Sequence, residues 1–152
     1  MNAAYVHLVL NSFPPVLTLA GLCILVGGMS SRSEAVTRVA FAVIVASVVI
    51  AIATYVTGTY AQAIVKTMVE GVNGEAIEPH QEAATAALVF LILDGLLAAI
   101  ALFVRLRRVL TAFVLILTII ATLTVTYAAR LGGRIHHPEF DMRRPPGAAA
   151  LH

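Results

Sequence analysis

Four long apolar segments limit the folds open to this chain more than any other feature of its sequence. They cover about residues 7–29, 39–58, 83–104 and 109–130, each close to the roughly 20 residues with which a helix crosses a bilayer. Because no water in the hydrocarbon can hydrogen-bond an open backbone, each segment must be helical. Hydrophobic residues make up 60% of the chain and charged residues 12%, about half the charged share usual in soluble domains. We therefore predict one all-α integral membrane domain over residues 1–152.

The lengths of the connections predict how the four transmembrane helices pack. Short polar links follow the first and third segments, which makes each pair an antiparallel hairpin and the whole an up-down-up-down bundle. A longer link covers residues 59–82, and a polar, Pro-rich tail covers residues 131–152. Part of the link, "YAQAIVKTMVEG", has its apolar residues on one face, which predicts a helix lying on the membrane surface or a docking face for a partner. We find no internal sequence repeat.

Basic residues in short loops predict the orientation of the bundle. The tight links contain Arg32, Arg38, Arg105, Arg107 and Arg108. The opposite side contains Lys66, Arg130, Arg134, Arg143 and Arg144, spread through longer segments that also carry most of the acidic residues. The denser set marks the cytoplasmic side. We expect a multi-pass protein of a bacterial inner membrane, with the 59–82 link, the tail and both termini on the outer, periplasmic side.

Several function classes find no support in the sequence. A net charge of +2 without a basic cluster does not indicate nucleic-acid binding. Cys23 is the only cysteine and lies in an apolar run, where we expect it to pack rather than to react. The chain has no G-x-S-x-G, H-E-x-x-H, P-loop or G-x-G-x-x-G pattern. An autonomous catalytic activity is therefore not expected.

Four of the five histidines are predicted to lie at one face of the membrane. His7 begins the first helix, His80 begins the third, and His136 and His137 follow the fourth. A neutral imidazole is a ligand for transition metals and for haem iron. A haem with two histidine ligands needs imidazoles on separate helices and small residues beside the macrocycle. This layer of histidines is therefore a candidate haem or metal site.

Helical spacing favours His80 and His136 as the two ligands. Small residues lie three, four and seven positions away on the same helix: Ala83, Ala84 and Ala87 for His80, and Gly133, Gly132 and Ala129 for His136. His137 instead shares a face with Arg130 and Arg134, which could bind the haem propionates. Small residues are also how membrane helices pack, so plain helix packing is the alternative. A further alternative is a non-haem metal ion at His80 and His136, completed by Glu82 or Glu139.

The two ends of the apolar region resemble a bacterial family of four-helix membrane proteins without an assigned function. "HLVLNSFPPVL" resembles the family's opening H-P-L-L-V-H-F-P, and "ARLGGRIHH" resembles its glycine-pair ending. His80, alone at the head of the third helix, fits as well. The resemblance implies a haem b carrier with histidine ligands. Two departures stand out: Leu8 and Ser12 replace the family's proline and second histidine, and the closing histidines lie nearer the glycine pair.

Asp94 is the one carboxylate in the middle of an apolar segment. Its insertion costs about 2.5–3.5 kcal/mol, and such residues are functional candidates by default. Thr18, Ser47 and Thr118 are predicted at a similar depth on the other helices, which indicates a buried polar layer with a protonated Asp94 as hydrogen-bond donor. The layer is either a clasp between helices, contributing about 1 kcal/mol, or part of a proton relay.

These observations lead to one leading function and one alternative. The leading function is a b-type haem protein that passes electrons near the outer face of the membrane, as a subunit of a larger complex. His80 and His136 are the expected ligands, and His7 or His137 are their substitutes. The alternative is a haem-free accessory subunit that meets its complex through the 59–82 link and the C-terminal tail.

Overall fold

A computed structural model describes residues 3–68, 77–104 and 108–136. These residues form five helices: α1 (Ala3–Leu10), α2 (Phe13–Ser30), α3 (Glu34–Met68), α4 (Ile77–Phe103) and α5 (Arg108–His136). Helices α1 and α2 together form the first apolar stretch. Four stretches of the described chain are long and apolar enough to cross a membrane: Ala3–Ser30, Glu34–Ile64, Ile77–Phe103 and Arg108–Ile135. The predicted all-α bundle of four apolar helices is confirmed.

The bundle consists of two hairpins packed side by side. α2 packs against α3, and α4 packs against α5. Contacts of α3 with α4 and of α2 with α5 close the ring, while α1 lies against α3. The apolar core has two clusters, one around Leu25, Phe41 and Val114 and the other around Leu91 and Val125.

The helices extend beyond the predicted apolar segments. α3 begins at Glu34 instead of residue 39, and α5 continues to His136, so the first residues of the predicted tail are helical. The segment expected to form a separate surface helix continues α3 as far as Met68, because no glycine or proline interrupts the chain between residues 60 and 68. α4 begins at Ile77, ahead of the predicted start at residue 83. Pro79 is tolerated there because the first N–H groups of a helix have no intrahelical partner. The first span is broken at residues 11–12, since Pro14 and Pro15 lack the N–H that would continue the helix.

At the end of the bundle that contains the α2–α3 turn, Arg38 ties the two hairpins together. Its Nη1 donates to the carbonyl oxygen of Leu102, in the last turn of α4, at 2.6 Å. Its Nη2 lies 3.1 Å from Oε1 of Glu34, one turn earlier on α3. A cation near the last carbonyls of a helix is favourable because those groups have no intrahelical donor and carry the negative end of the helix dipole.

The two hairpins bury equivalent positions although their residues differ. Each buried residue of α2 has a buried counterpart on α4, and the two are always separated by the same number of residues along the chain. The pairs are Pro14 and Ala87, Thr18 and Leu91, Gly21 and Asp94, Leu25 and Ala98, and Gly28 and Ala101. His7 and His80 are separated by the same interval. The fold thus contains a structural repeat, although we found no repeat in the sequence.

The second helices of the hairpins repeat in the same way, at an interval one residue longer. The buried pairs are Thr37 and Thr111, Ala40 and Val114, Ile44 and Thr118, Ser47 and Ala121, Val48 and Thr122, Ala51 and Val125, and Thr54 and Ala128. Burial repeats because each helix presents the same stripe to the bundle axis. Residue identity does not repeat, because many small or apolar side chains can fill such a stripe.

The contact of Gly28 with Thr37 provides a test of the packing. A Cβ on Gly28 would lie 2.8 Å from the backbone N of Thr37, whereas a Cβ on Gly27 would meet nothing within 4 Å. We expect Gly28→Ala to lower the free energy of unfolding by about 1–3 kcal/mol through overpacking. Gly27→Ala should leave it unchanged or raise it by up to about 1 kcal/mol, because alanine favours helix. Circular dichroism during denaturation in detergent measures both, and equal effects would contradict this close approach.

Candidate functional site: a cavity between two histidines

His7 on α1 is held against α3 by one hydrogen bond and one glycine. Its Nδ1 lies 2.9 Å from the carbonyl oxygen of Thr54. Gly58 follows Thr54 by one helical turn, and a Cβ there would lie only 2.8 Å from Cε1 of His7. The ring can approach the α3 backbone this closely because Gly58 has no side chain.

His80 on α4 makes the same two contacts with α5. Its Nδ1 lies 2.9 Å from the carbonyl oxygen of Ala128. Gly132 follows Ala128 by one turn, and a Cβ there would lie 2.9 Å from Cε1 of His80. The two histidines are therefore equivalent in the structural repeat, each placed by the second helix of its own hairpin.

These hydrogen bonds determine which ring nitrogen carries a proton. A carbonyl oxygen can only accept, so Nδ1 of His7 and of His80 must be the donor. In a neutral imidazole the other nitrogen, Nε2, is then the one with a lone pair. Histidines that bind metals usually have this arrangement, with the second ring nitrogen donating to a carbonyl or carboxylate. Both side chains thus have the tautomer suited to ligation through Nε2.

Both histidines line one cavity of about 140 Å³ at their end of the bundle, and all five helices contribute to its wall. The lining repeats between the hairpins. Residues of the first two helices pair with residues of α4: Ala4 with Ile77, His7 with His80, Leu8 with Gln81, Asn11 with Ala84, Pro14 with Ala87, and Pro15 with Leu88. Residues of α3 pair with residues of α5: Ala51 with Val125, Thr54 with Ala128, Tyr55 with Ala129, Gly58 with Gly132, and Ala61 with Ile135. The cavity therefore lies between the two repeated halves.

One wall of the cavity carries a small hydrogen-bond network. Gln81 Nε2 donates to the hydroxyl of Tyr55 at 3.3 Å. The same hydroxyl lies 3.0 Å from Oγ1 of Thr85, which donates to the carbonyl of Gln81 at 2.8 Å. The network connects α3 to α4 and leaves the cavity with polar groups on an otherwise largely apolar surface.

The structure places the other predicted ligands and partners as follows. His136 is the last residue of α5, and its side chain lies outside the described part of the chain, as does all of His137. Arg130 is exposed and Arg134 is half-buried, and neither lines the cavity. Among the described side chains, His7, predicted only as a substitute ligand, is the histidine that shares the cavity with His80.

The predicted metal ion finds no cluster of ligands in the described residues. No group of three or more His, Cys, Asp or Glu side chains that could hold a metal ion occurs among residues 3–68, 77–104 and 108–136. Of the two acidic residues considered as further ligands, Glu82 is exposed and Glu139 lies outside the described residues. A haem iron has a different requirement, because the porphyrin supplies the other ligands and the protein needs to provide only one or two.

Small residues lie near the His80 ring on two helices. Of those predicted on its own helix, Ala84 and Ala87 line the cavity, and Ala83 does not. The glycine that contacts the His80 ring, Gly132, lies on the neighbouring helix. A glycine at the equivalent position of each hairpin's second helix, Gly58 and Gly132, was the available signal for pairing His7 with His80.

The predicted polar layer contains one hydrogen bond between helices in the described residues. Asp94 is 0% exposed, and the hydroxyl of Thr118 lies 3.1 Å from its Oδ1. Thr18 donates to the carbonyl of Pro14 at 2.6 Å, and Ser47 donates to that of Ile44 at 2.7 Å. These two hydroxyls are satisfied within their own helical segments, as is usual for Ser and Thr in membrane helices.

Comparison with known proteins does not identify the chain. No protein-family model matches it, and no curated protein or solved structure matches it either. The resemblance to the four-helix membrane family thus stays a prediction from two short motifs and His80.

The adjacent glycines at the end of α5 test the tautomer of His80. We expect nitrogen chemical shifts of labelled imidazoles to show the Nδ1–H form for His7 and His80. Gly132→Ala should displace the His80 ring and remove its hydrogen bond to Ala128, at a cost of about 1 kcal/mol. Gly133→Ala is the matched control, because a Cβ there meets nothing within 4 Å. An Nε2–H tautomer in the unaltered protein, or no response to Gly132→Ala, would contradict the described site.

Proposed function

We propose that this chain is a b-type haem protein of the membrane, with His7 and His80 as the two axial ligands, and that it transfers electrons. The observation that carries the proposal is the equivalent placement of the two imidazoles on one cavity, each with Nδ1 donating to a backbone carbonyl. Two ligands related by a two-fold repeat suit a single iron between them, since both would then meet the metal in the same way. His136, favoured from the sequence, is replaced by His7 in this proposal.

The residues present fit a haem in ligand type and in ring orientation. Gly58 and Gly132 give the imidazoles room against the neighbouring backbones, and the hydrogen bonds to Thr54 and Ala128 keep the rings from rotating. When bound, the haem supplies a one-electron redox centre. What the protein adds is ligation through Nε2, a fixed ring direction, and a largely apolar wall that limits water.

The cavity volume sets a condition on haem binding. About 140 Å³ is well below the roughly 300–1,000 Å³ of pockets for drug-sized ligands, so the macrocycle needs the helix ends to separate. α1 is the element suited to move, because the break at residues 11–12 separates it from α2 and none of its residues is buried. His7 lies on this short helix, so α1 has to return after haem enters if the hydrogen bond to Thr54 is to orient the ring.

The wider assignment follows from charge and composition. We propose a bacterial inner membrane because of the family resemblance. The density of basic residues in the two tight links supports an orientation with the histidine end on the outer side of the membrane. At this end, half-buried Arg134 precedes the cavity residue Ile135 and is the better placed of the two predicted propionate partners. We further propose that the chain is a subunit of a larger complex, reached through the segment between α3 and α4 and through the C-terminal tail.

The small volume of the cavity favours the second candidate, a haem-free accessory subunit. In that role the histidines would serve packing: each ring fills the space above a glycine and joins the first helix of its hairpin to the second. The two functions differ in what loss of one histidine removes. A haem site loses its cofactor, whereas a packing contact loses only stability.

Absorption spectra of the detergent-purified protein, produced with ample haem, separate these functions. We expect a Soret shift and sharp α and β bands on reduction with dithionite, as for six-coordinate haem b. His7→Ala and His80→Ala should each reduce bound haem about tenfold or more, since weaker perturbations of metal sites already cost 10–100-fold. His152→Ala, in the tail, is the control and should retain the full spectrum.

Other results would reject all or part of the proposal. A featureless spectrum from folded, membrane-inserted protein would reject haem binding and support the accessory role. If His136→Ala removes the haem while His7→Ala does not, the ligands are His80 and His136, as the sequence alone suggested.

A further inference from the structure

We propose that Asp94 is a reversible proton-binding site inside the membrane-spanning bundle. The proposal is independent of haem, because it rests on a different part of the core. Asp94 is the only ionisable residue among the buried residues of the described chain; the other buried polar residues are threonines and one serine. The site lies on α4, one helical turn beyond the cavity residue Leu91, about 4.5 Å farther along the helix axis.

The hydrogen bonds around Asp94 suit two protonation states. Thr118 has one hydroxyl proton, and its Oγ1 lies 2.8 Å from the carbonyl oxygen of Val114 and 3.1 Å from Oδ1 of Asp94. When Thr118 donates its hydrogen bond to the Val114 carbonyl, its hydroxyl oxygen can accept a hydrogen bond from a protonated Asp94. When Asp94 loses its proton, the Thr118 hydroxyl rotates and donates to the carboxylate. One threonine can serve both states because a hydroxyl both donates and accepts.

The second carboxyl oxygen shows that the carboxylate is not built into a fixed network. Oδ2 of Asp94 is buried and has no hydrogen-bond partner among the described residues. A permanently ionised carboxylate at such a place would be costly, since buried charges are normally paired and fully hydrogen-bonded. A bound proton removes that charge. A metal ion is not available to balance it, because the described residues contain no group of side chains that could hold one.

The structural repeat argues against a purely structural role. In the other hairpin, the positions of Asp94 and Thr118 are taken by Gly21 and Ile44. These two residues are also neighbours, because a Cβ on Gly21 would lie 2.9 Å from Cγ1 of Ile44. The same hairpin contact is thus made with an apolar pair, and the fold does not require a carboxyl group there. A function that uses the proton accounts for the acidic residue.

Among the described residues, no second titratable group faces Asp94 from the elements packed against α4. These elements are α3 and α5, and the polar residues they bury are Thr37, Ser47, Thr54, Thr111, Thr118 and Thr122. Beside Asp94, α3 places an apolar side chain against α4: a Cβ on Gly95 would lie 2.5 Å from Cγ2 of Val48. Asp94 therefore has no paired charge on these helices, and the cavity residue Leu91 lies three residues before it on α4.

Infrared spectroscopy of the full chain in lipid, recorded over a range of pH, tests the proposal. We expect a carbonyl stretching band of a protonated carboxyl that is absent from Asp94→Asn, disappears as the pH is raised and returns when the pH is lowered. Thr118→Val keeps the carboxyl and removes its partner, so the band should shift to higher frequency. A band that persists at every pH would identify a permanently neutral clasp, and a band absent at every pH would identify a permanent charge. Either result would overturn the proposal.

A variant copied from the first hairpin keeps the test independent of folding defects. Asp94→Gly combined with Thr118→Ile reproduces the Gly21 and Ile44 pair at the equivalent positions. We expect this double variant to insert and retain its helix content while lacking the infrared band. If it fails to fold although Asp94→Asn folds, the acidic pair is a packing requirement and the functional argument from the repeat is wrong.

Discussion

Close approach of backbones at small residues is the constraint on which this bundle depends. Lipid tails are as apolar as the helix surfaces, so membrane helices gain little from the hydrophobic effect and associate through packing instead. Gly28 against Thr37 and Gly95 against Val48 bring neighbouring helices into direct contact. Gly58 and Gly132 also allow close approach, but the groups that contact their backbones are the rings of His7 and His80.

The sequence was sufficient to predict the four apolar helices, because a bilayer imposes the length and the helicity of segments that cross it. It was less informative about where helices end. Nothing in the local sequence distinguishes the last turns of α3 from a separate surface helix, since both have apolar residues at helical spacing. The break before Phe13, in contrast, follows directly from Pro14 and Pro15.

The pairing of His7 with His80 was not predicted from spacing along single helices, because it depends on contacts between helices. Spacing along one helix indicated small residues near His80, but the contact that orients its ring comes from Ala128 and Gly132 on α5. His7 was undervalued for the same reason, since its partners are Thr54 and Gly58 on α3. Asp94 was easier to find, because a carboxylate within an apolar run is visible without any tertiary information.

The two hairpins share a framework and one cavity histidine each, and they differ in the polar residues that they add to it. Cavity residues Asn11, Thr54 and Tyr55 of the first half correspond to Ala84, Ala128 and Ala129 of the second. The two halves thus contribute matching lining positions and one histidine each. The first hairpin contributes more polar side chains, although Gln81 of the second half corresponds to Leu8 of the first. Deeper in the core the asymmetry is reversed, with Asp94 and Thr118 in the second hairpin. Burying that carboxyl group costs about 2.5–3.5 kcal/mol, whereas hydrogen bonds between membrane helices contribute about 0.6–2 kcal/mol. One hydrogen bond between helices therefore does not offset the cost of the carboxyl group. In the first hairpin the equivalent position is filled by the apolar contact of Gly21 with Ile44.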